Sequence, residues 1–402
     1  MQALLKNKNL YGVITLLIVQ KYGGSSVADK ERIFNAASKI AASYDSGNNV
    51  VVIVSAQGNT TDMLIETANN IIIDAPKREL DMLLSTGEQQ SAALMSMALI
   101  SLGYKAISLN AWQAGIFTTD DYGNARITGI NTERIKHELS LGKIVIIAGF
   151  QGINNSMDIT TLGRGGSDTT AVAIAAALKA DKCEIYTDVN GIYTADPRIV
   201  PNAVLLESID YNVMLNYSSL GAKVLHNRSV ELAKNTGIDI SVKSSFSDNP
   251  GTLVTDCSEI NSKPISGITA KKLQAYITIS NLNDVYSLLK LLSTNKTIID
   301  MVSISDKCIS FSVKQFEIES ILNKVKSINE QIKTEVQTDL AKISIVGTSL
   351  HTKPEVLIKI VEVLKANNIN FTAISLSETK LCILVDESKC TYAINLLHKK
   401  LI

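Results

Sequence analysis

The sequence predicts an α/β sandwich built on a mainly parallel sheet, followed by two small α+β units. Three observations lead there. Up to about residue 255, short apolar runs alternate with helical patterns. The runs are rich in Val and Ile and nearly continuous, as suits strands buried on both faces of a parallel sheet. After about residue 265 glycine becomes rare and two similar segments follow one another.

The predicted strands are residues 13–20, 50–56, 106–110, 144–150, 183–189 and 238–242. Helices are expected between them, among others over Asp29–Tyr44, Gly87–Ser101 and Thr169–Ala180, so helices cover both sheet faces. In the C-terminal part, an offset of 72 aligns Asn295 with Asn367, Leu292 with Leu364, Ser303 with Ser375, Asp306 with Glu378 and Val313 with Val385. Each segment reads strand, helix, strand, strand, helix, which predicts two copies of one fold. Residues 246–264 read as the connection. The domain expectation is therefore a first domain over 13–255 and a paired repeat over 265–402.

Composition narrows the function. The 402 residues are 46% hydrophobic and 19% charged, with 39 basic and 39 acidic side chains. A net charge of zero argues against nucleic acid or an anionic membrane as partner. The apolar runs are too short to span a bilayer. The N-terminal apolar stretch runs into Gln20-Lys21 with no small-residue cleavage site, so no signal peptide is expected. The five cysteines are scattered and odd in number, which suits reduced thiols and a cytoplasmic location. The four histidines are scattered too, and no protein-held metal site is expected.

In an open α/β sheet, ligands bind at the carboxyl ends of the strands. Here those ends carry Lys21-Tyr22-Gly23-Gly24-Ser25-Ser26, then Ser55, then Gln151-Gly152, then Thr187-Asp188. Two glycines let backbone N–H groups approach phosphate oxygens, and Lys21 adds positive charge. Ser26 to Asp29 reads as a capping box opening the next helix towards the anion. No Walker A pattern occurs. In Thr161-Leu162-Gly163-Arg164-Gly165-Gly166-Ser167-Asp168, an arginine buried among glycines can hold a carboxylate bidentately, and Asp168 an ammonium group. Ser167 and Asp168 also read as plain helix caps. Asn190-Gly191 reads as a tight turn. Tyr193 could lie beside a purine and Arg198 reach phosphates.

The segments QKYGGSSVAD, STGEQQSAAL, TLGRGGSDTTA, YTDVNGIYTADPR and GAKVLH occur in this order. Together they resemble the aspartokinases of the amino-acid kinase superfamily, over essentially Val13 to Ile402. Tyr22 and Ser25 stand where that family usually has phenylalanine and threonine, and residues 1–12 precede its usual start. The resemblance implies the amino-acid-kinase three-layer sandwich, followed by two ACT-like (ferredoxin-like) regulatory units. It implies that Lys21 and Asp168 are catalytic, with Lys21 on the transferring phosphate and Gly23, Gly24 and Ser25 lining its path. Ser55 would touch the substrate's reacting end and Glu88 its ammonium, although Ser85 to Glu88 also reads as a capping box. Arg164 would take the α-carboxylate, with Ser167 beside it. Thr187, Asp188, Tyr193, Arg198 and Lys223 would belong to the nucleotide.

The implied reaction is phosphorylation of the L-aspartate side chain by ATP, the first step towards lysine, threonine and methionine. A carboxylate with a reference pKa of about 3.9 is already ionised at neutral pH and needs no general base. Catalysis is then positioning plus charge neutralisation by Lys21, backbone N–H groups and Mg²⁺ carried mainly on the ATP phosphates. Two rivals are another kinase of this fold and a silent amino-acid sensor; retention of Lys21, Arg164 and Asp168 opposes the sensor. No G-x-G-x-x-G supports a fused dehydrogenase. ACT-like units imply a homodimer or larger assembly with an amino-acid effector, lysine ahead of threonine. Asp284 could hold the effector ammonium or cap a helix.

Overall fold

A computed structural model describes residues 15–221, 224–256, 264–282, 284–294, 297–305, 307–328 and 332–402. The chain forms two compact units. Among the described residues, the first holds 15–192, 205–218 and 224–256, and the second holds 193–204, 219–221 and 264–402.

The first unit is built on β1 (Leu17–Tyr22), β2 (Asn49–Val54), β3 (Ala106–Leu109), β4 (Ile116–Thr118), β5 (Ile127–Ile130), β6 (Ile144–Ala148), β7 (Gln151–Ile153), β8 (Ile159–Thr161), β9 (Lys182–Thr187), β10 (Ser208–Asp210), β11 (Ile240–Ser244) and β12 (Thr252–Thr255). Its helices are α1 (Lys30–Asp45), α2 (Thr60–Ile71), α3 (Lys77–Ser101), α4 (Glu133–Ser140), α5 (Gly166–Leu178), α6 (Tyr211–Leu220) and α7 (Asn227–Thr236). The main sheet runs β10-β12-β11-β9-β1-β2-β6-β3 and is parallel except where β12 meets β11. A smaller sheet runs β5-β4-β7-β8.

Strand alternation sorts the layers. Val50, Val52 and Val54 pack with Ile33, Ile40, Met95 and Leu99 of α1 and α3. Ile53 points the other way, towards the start of α5. The alanines of α5 let it lie close on that second face, against β1, β2 and β9. The three-layer expectation therefore holds. The order β9-β1-β2-β6 sets the four chemically loaded strand ends side by side.

The second unit contains β13 (Ile265–Ser280), α8 (Val285–Thr294), β14 (Asp300–Ser305), β15 (Cys308–Lys314), α9 (Ile318–Ile328), β16 (Lys333–Gly347), α10 (Pro354–Ala366), β17 (Phe371–Leu376), β18 (Lys380–Asp386) and α11 (Cys390–Leu401). One antiparallel sheet runs β14-β15-β13-β16-β18-β17. The offset of 72 carries β15 onto β18 residue for residue, and the start of α9 onto that of α11. Asn295 and Asp306, used in that alignment, lie outside the described residues.

The repeats are interlocked rather than consecutive. Ile265–Lys271 pair with Lys342–Gly347 beside β18, whereas Tyr276–Ser280 pair with Lys333–Gln337 beside β15. The C-terminal repeat thus takes one strand from residues that precede the N-terminal repeat. Each long strand bends where it changes partner, at Leu273 and Asp339, both with φ of 56°. The Leu273 N–H donates to Glu387 and the Asp339 N–H to Gln315, at 2.7 and 3.1 Å. Gln315 and Glu387 are equivalents at the same offset, so both bends are tied alike. Asp284 caps α8, accepting from the N–H groups of Tyr286 and Ser287 at 2.9 and 3.2 Å.

Candidate active site

The alternation that buries Tyr22 against α1 turns Lys21 to the α5 face. There its Nζ lies 2.6 Å from Asp168 Oδ1, both side chains being only 11% exposed. That oxygen makes no aligned hydrogen bond, so the contact is Coulombic. Asp168 sits in the first turn of α5, whose N-cap is Gly165 in the left-handed region, with no side-chain cap. The capping explanation of Ser167 and Asp168 therefore falls. Ser167 lies against Gly149, where a Cβ would come within 2.9 Å of its Oγ.

Past Lys21 the chain tightens. Gly23 N–H reaches the Tyr186 carbonyl at 3.3 Å, and Ser26 N–H reaches the Gly23 carbonyl at 2.9 Å. A Cβ on Gly24 would stand 2.6 Å from the Ala56 carbonyl oxygen, so only glycine lets these two loops touch. Ser25 accepts from Arg32 through its carbonyl at 2.8 Å. The predicted Ser26 cap is corrected: Asp29 caps α1, and Ser26 shares a hydrogen bond with Ser245 instead.

The end of β2 continues the site. Ser55 N–H donates to the Tyr22 carbonyl at 3.1 Å, and Ala56 N–H to Glu88 Oε1 at 3.0 Å. Glu88 is 3% exposed and its Oε2 has no partner. Burial pushes its carboxyl up to about 7, against the opposing pull of the Ala56 N–H. The capping-box reading of Ser85 to Glu88 is wrong, because α3 begins at Lys77 and these residues lie inside it. Gly87 permits the approach: a Cβ there would stand 2.8 Å from that of Ala56.

The arginine loop differs from expectation. Gly163 and Gly165 have φ of 75° and 70°, yet the Arg164 side chain is exposed rather than buried between them. Three residues without a predicted role hold this loop. Asp81, buried on α3, accepts from Thr161 N–H, Thr161 Oγ1 and Gly123 N–H at 2.8, 2.7 and 2.9 Å. Arg228 donates to the Leu162 carbonyl and to Asn124 Oδ1, at 2.8 and 2.7 Å. His226 lies under Gly165, where a Cβ would meet its Cβ at 2.2 Å and its ring at 2.3 Å. Burial lowers the His226 pKa, the Asp168 charge opposing that shift. His226 was visible within GAKVLH; a charged residue on the buried face of α3 was the one hint of Asp81; Arg228 had no local signal.

At the end of β9, Thr187 is half-buried and donates to Asp188 at 3.1 Å, and Asp188 is exposed. Gly191 has a φ of 145° and lies against Thr252, in a bend rather than the expected tight turn, since Asn190 does not take the positive φ such a turn needs. Tyr193 and Arg198 belong to the second unit, where Arg198 Nη2 pairs with Asp196 at 2.7 Å. Lys223 lies outside the described residues. Lys21, Gly23, Gly24, Ser25, Ser55, Glu88, Ser167 and Asp168 are thus gathered at adjacent strand ends. No described helix is long and apolar enough to cross a membrane.

A lysine–aspartate pair beside a glycine loop, at the carboxyl edge of a parallel sheet, can neutralise a transferring phosphate. Residues 17–244 match the amino acid kinase family, which is the class this fold and site define, and residues 343–401 match the ACT domain. The chain is 45% identical over 398 residues to the aspartokinase of Bacillus sp. (strain MGA3), covering 95% of this chain and 96% of that one. It is 45% identical over 394 residues to aspartokinase 2 of Bacillus subtilis, covering 95% and 97%. The fold matches E. coli aspartokinase III in complex with aspartate and ADP, with a TM-score of 0.77 and 24% identity over 96% of this chain and 99% of that one. The chain belongs to the aspartokinase family, ATP-dependent enzymes that phosphorylate the side-chain carboxylate of L-aspartate.

Proposed function

We propose that Lys21 and Asp168 form the catalytic centre of this aspartate kinase, in a catalytic region over 13–255 regulated by the repeats over 265–402. The observation that carries this reading is the pair of Lys21 and Asp168, 2.6 Å apart and nearly buried beside Gly23 and Gly24. In the resting site Asp168 holds the ammonium of Lys21. When phosphate oxygens arrive, that ammonium neutralises their charge, and Gly23, Gly24 and Ser25 line their path.

The acceptor is oriented from the other side. Arg164 takes the α-carboxylate, with Ser167 nearby, and Ser55 meets the reacting end. Glu88 takes the ammonium; its unpartnered Oε2 supports this role, since a buried polar atom calls for a partner. Thr187, Asp188, Tyr193, Arg198 and Lys223 serve the nucleotide. Mg²⁺, carried on the ATP phosphates, supplies further charge neutralisation, a role that suits a site whose nearest carboxylate, Asp168, is already paired with Lys21. Among the described residues no group of three or more His, Cys, Asp or Glu side chains is arranged to hold a metal ion. The enzyme works as a homodimer or larger assembly and is inhibited by an amino acid, lysine ahead of threonine. Asp284 caps α8, the second of the two roles its position offers.

The product of this chemistry is an acyl phosphate. Turnover with aspartate and ATP in the presence of hydroxylamine should yield a hydroxamate, and less of it when lysine is added. A hydroxylamine-resistant phosphoester would refute the acceptor assignment, and indifference to both lysine and threonine would refute the regulatory one.

A further inference from the structure

The segment Tyr193–Val204 carries Tyr193 and Arg198, yet it is built into the second unit. It closes on itself: Thr194 N–H donates to the Val204 carbonyl, and Val204 N–H to Thr194 Oγ1, both at 2.9 Å. Ala195 and Val200 are buried in one core with Ile268, Ile343, Ile360, Ile394 and Leu397. That core is the C-terminal repeat's own. Three polar ties then fix the segment. Ile268 N–H donates to the Thr194 carbonyl at 2.7 Å. From α11, Asn395 Nδ2 donates to the Ile199 carbonyl at 2.9 Å. Also from α11, the buried His398 Nε2 lies 2.9 Å from Thr194 Oγ1.

We propose that Asn395 and His398 are positioning residues for ATP: through the Thr194 hydroxyl and the Ile199 carbonyl, α11 sets the segment on which Tyr193 and Arg198 stand. The inference rests on the nucleotide role proposed for those two residues. A loop joined to the rest of the chain only by its two ends has to be ordered when a ligand binds it, and that ordering weakens affinity. Seating it on a packed helix removes the cost in advance.

The test is steady-state kinetics of the full chain with ATP and aspartate varied separately. Asn395→Ala and His398→Leu should each raise the KM for ATP about fivefold, the effect of losing one hydrogen bond, while kcat and the KM for aspartate stay within about twofold. His398→Gln, which keeps a polar atom in reach of Thr194, should restore the ATP value. Tyr193→Ala serves as reference. If it raises the KM for ATP and the α11 variants do not, the inference fails and the nucleotide reading survives. If Tyr193→Ala leaves that KM unchanged, the nucleotide reading fails and takes the inference with it. Equal rises in both KM values would mean general loosening and would also overturn the proposal. Should His398→Leu not fold, Asn395→Ala, at a half-buried position on the helix, decides alone.

Discussion

Glu88 concentrates the chemistry of single residues in this site. Its carboxyl is pushed from 4.5 up to about 7 by burial. The folded state therefore holds a proton that the unfolded state sheds at lower pH, and stability falls as pH rises from 4.5 towards 7. Glu88→Gln removes that loss. It should raise the melting temperature at about pH 8, by the equivalent of up to about 3 kcal/mol, with a shrinking difference towards pH 5. The same substitution should weaken aspartate use, because no carboxylate remains for the ammonium; a variant that melts higher and still uses aspartate normally would refute the substrate role. Arg164 calls for a smaller effect than a buried arginine would. It is exposed, so Arg164→Ala should lower kcat/KM for aspartate by about 2 kcal/mol, roughly thirtyfold, and leave the KM for ATP almost unchanged. Equal losses for both substrates would mean that it holds the loop instead. The sequence made Lys21, Arg164 and Asp168 visible because each stands in a local glycine-rich motif. It left Asp81 and Arg228 unseen because their partners at Thr161 and Leu162 are distant in the chain.

At the scale of elements, α3 shows where local signals mislead. Ser85-Thr86-Gly87-Glu88 has the pattern of a helix start, yet the helix opens at Lys77 after Pro76 and passes straight through. Glycine inside a helix is unfavourable by about 1 kcal/mol against alanine, and here the space beside Ala56 explains it. Gly87→Ala should therefore improve helix propensity but push α3 away from the loop and break the Ala56–Glu88 hydrogen bond. The expected outcome is a raised KM for aspartate, reversed when Ala56→Gly is added to make room. No rescue by the double variant would show that the contact is not what limits Gly87. Strands were easier to read than helices, because β1, β2, β6 and β9 are buried on both faces and their apolar runs announce it. The bends at Leu273 and Asp339 had no such announcement. Each is a non-glycine residue at positive φ, held by a hydrogen bond to an acceptor at least 24 residues away, at Glu387 and Gln315 respectively.

At the scale of the whole molecule, the catalytic and regulatory parts are not separable by one cut. Ending the chain at Asp256 would remove the core in which Ala195 and Val200 are buried, leaving that segment without its seat. Such a truncated chain should lose most activity through a raised KM for ATP instead of becoming a freely running kinase; an unchanged KM for ATP would contradict this. The sequence by itself determined the class of protein, the parallel sheet, the gathering of reactive residues at strand ends and the repeat at an offset of 72. These follow from apolar periodicity and from motifs a few residues long, which act over a turn of helix or one strand. Only the tertiary structure decided which way Arg164 points, that Glu88 is buried with a free oxygen, that the two repeats exchange strands, and that residues 193–204 pack with the C-terminal repeat. Each of these depends on contacts between residues far apart in the chain, whose energies come from burial and partner geometry that no local pattern encodes.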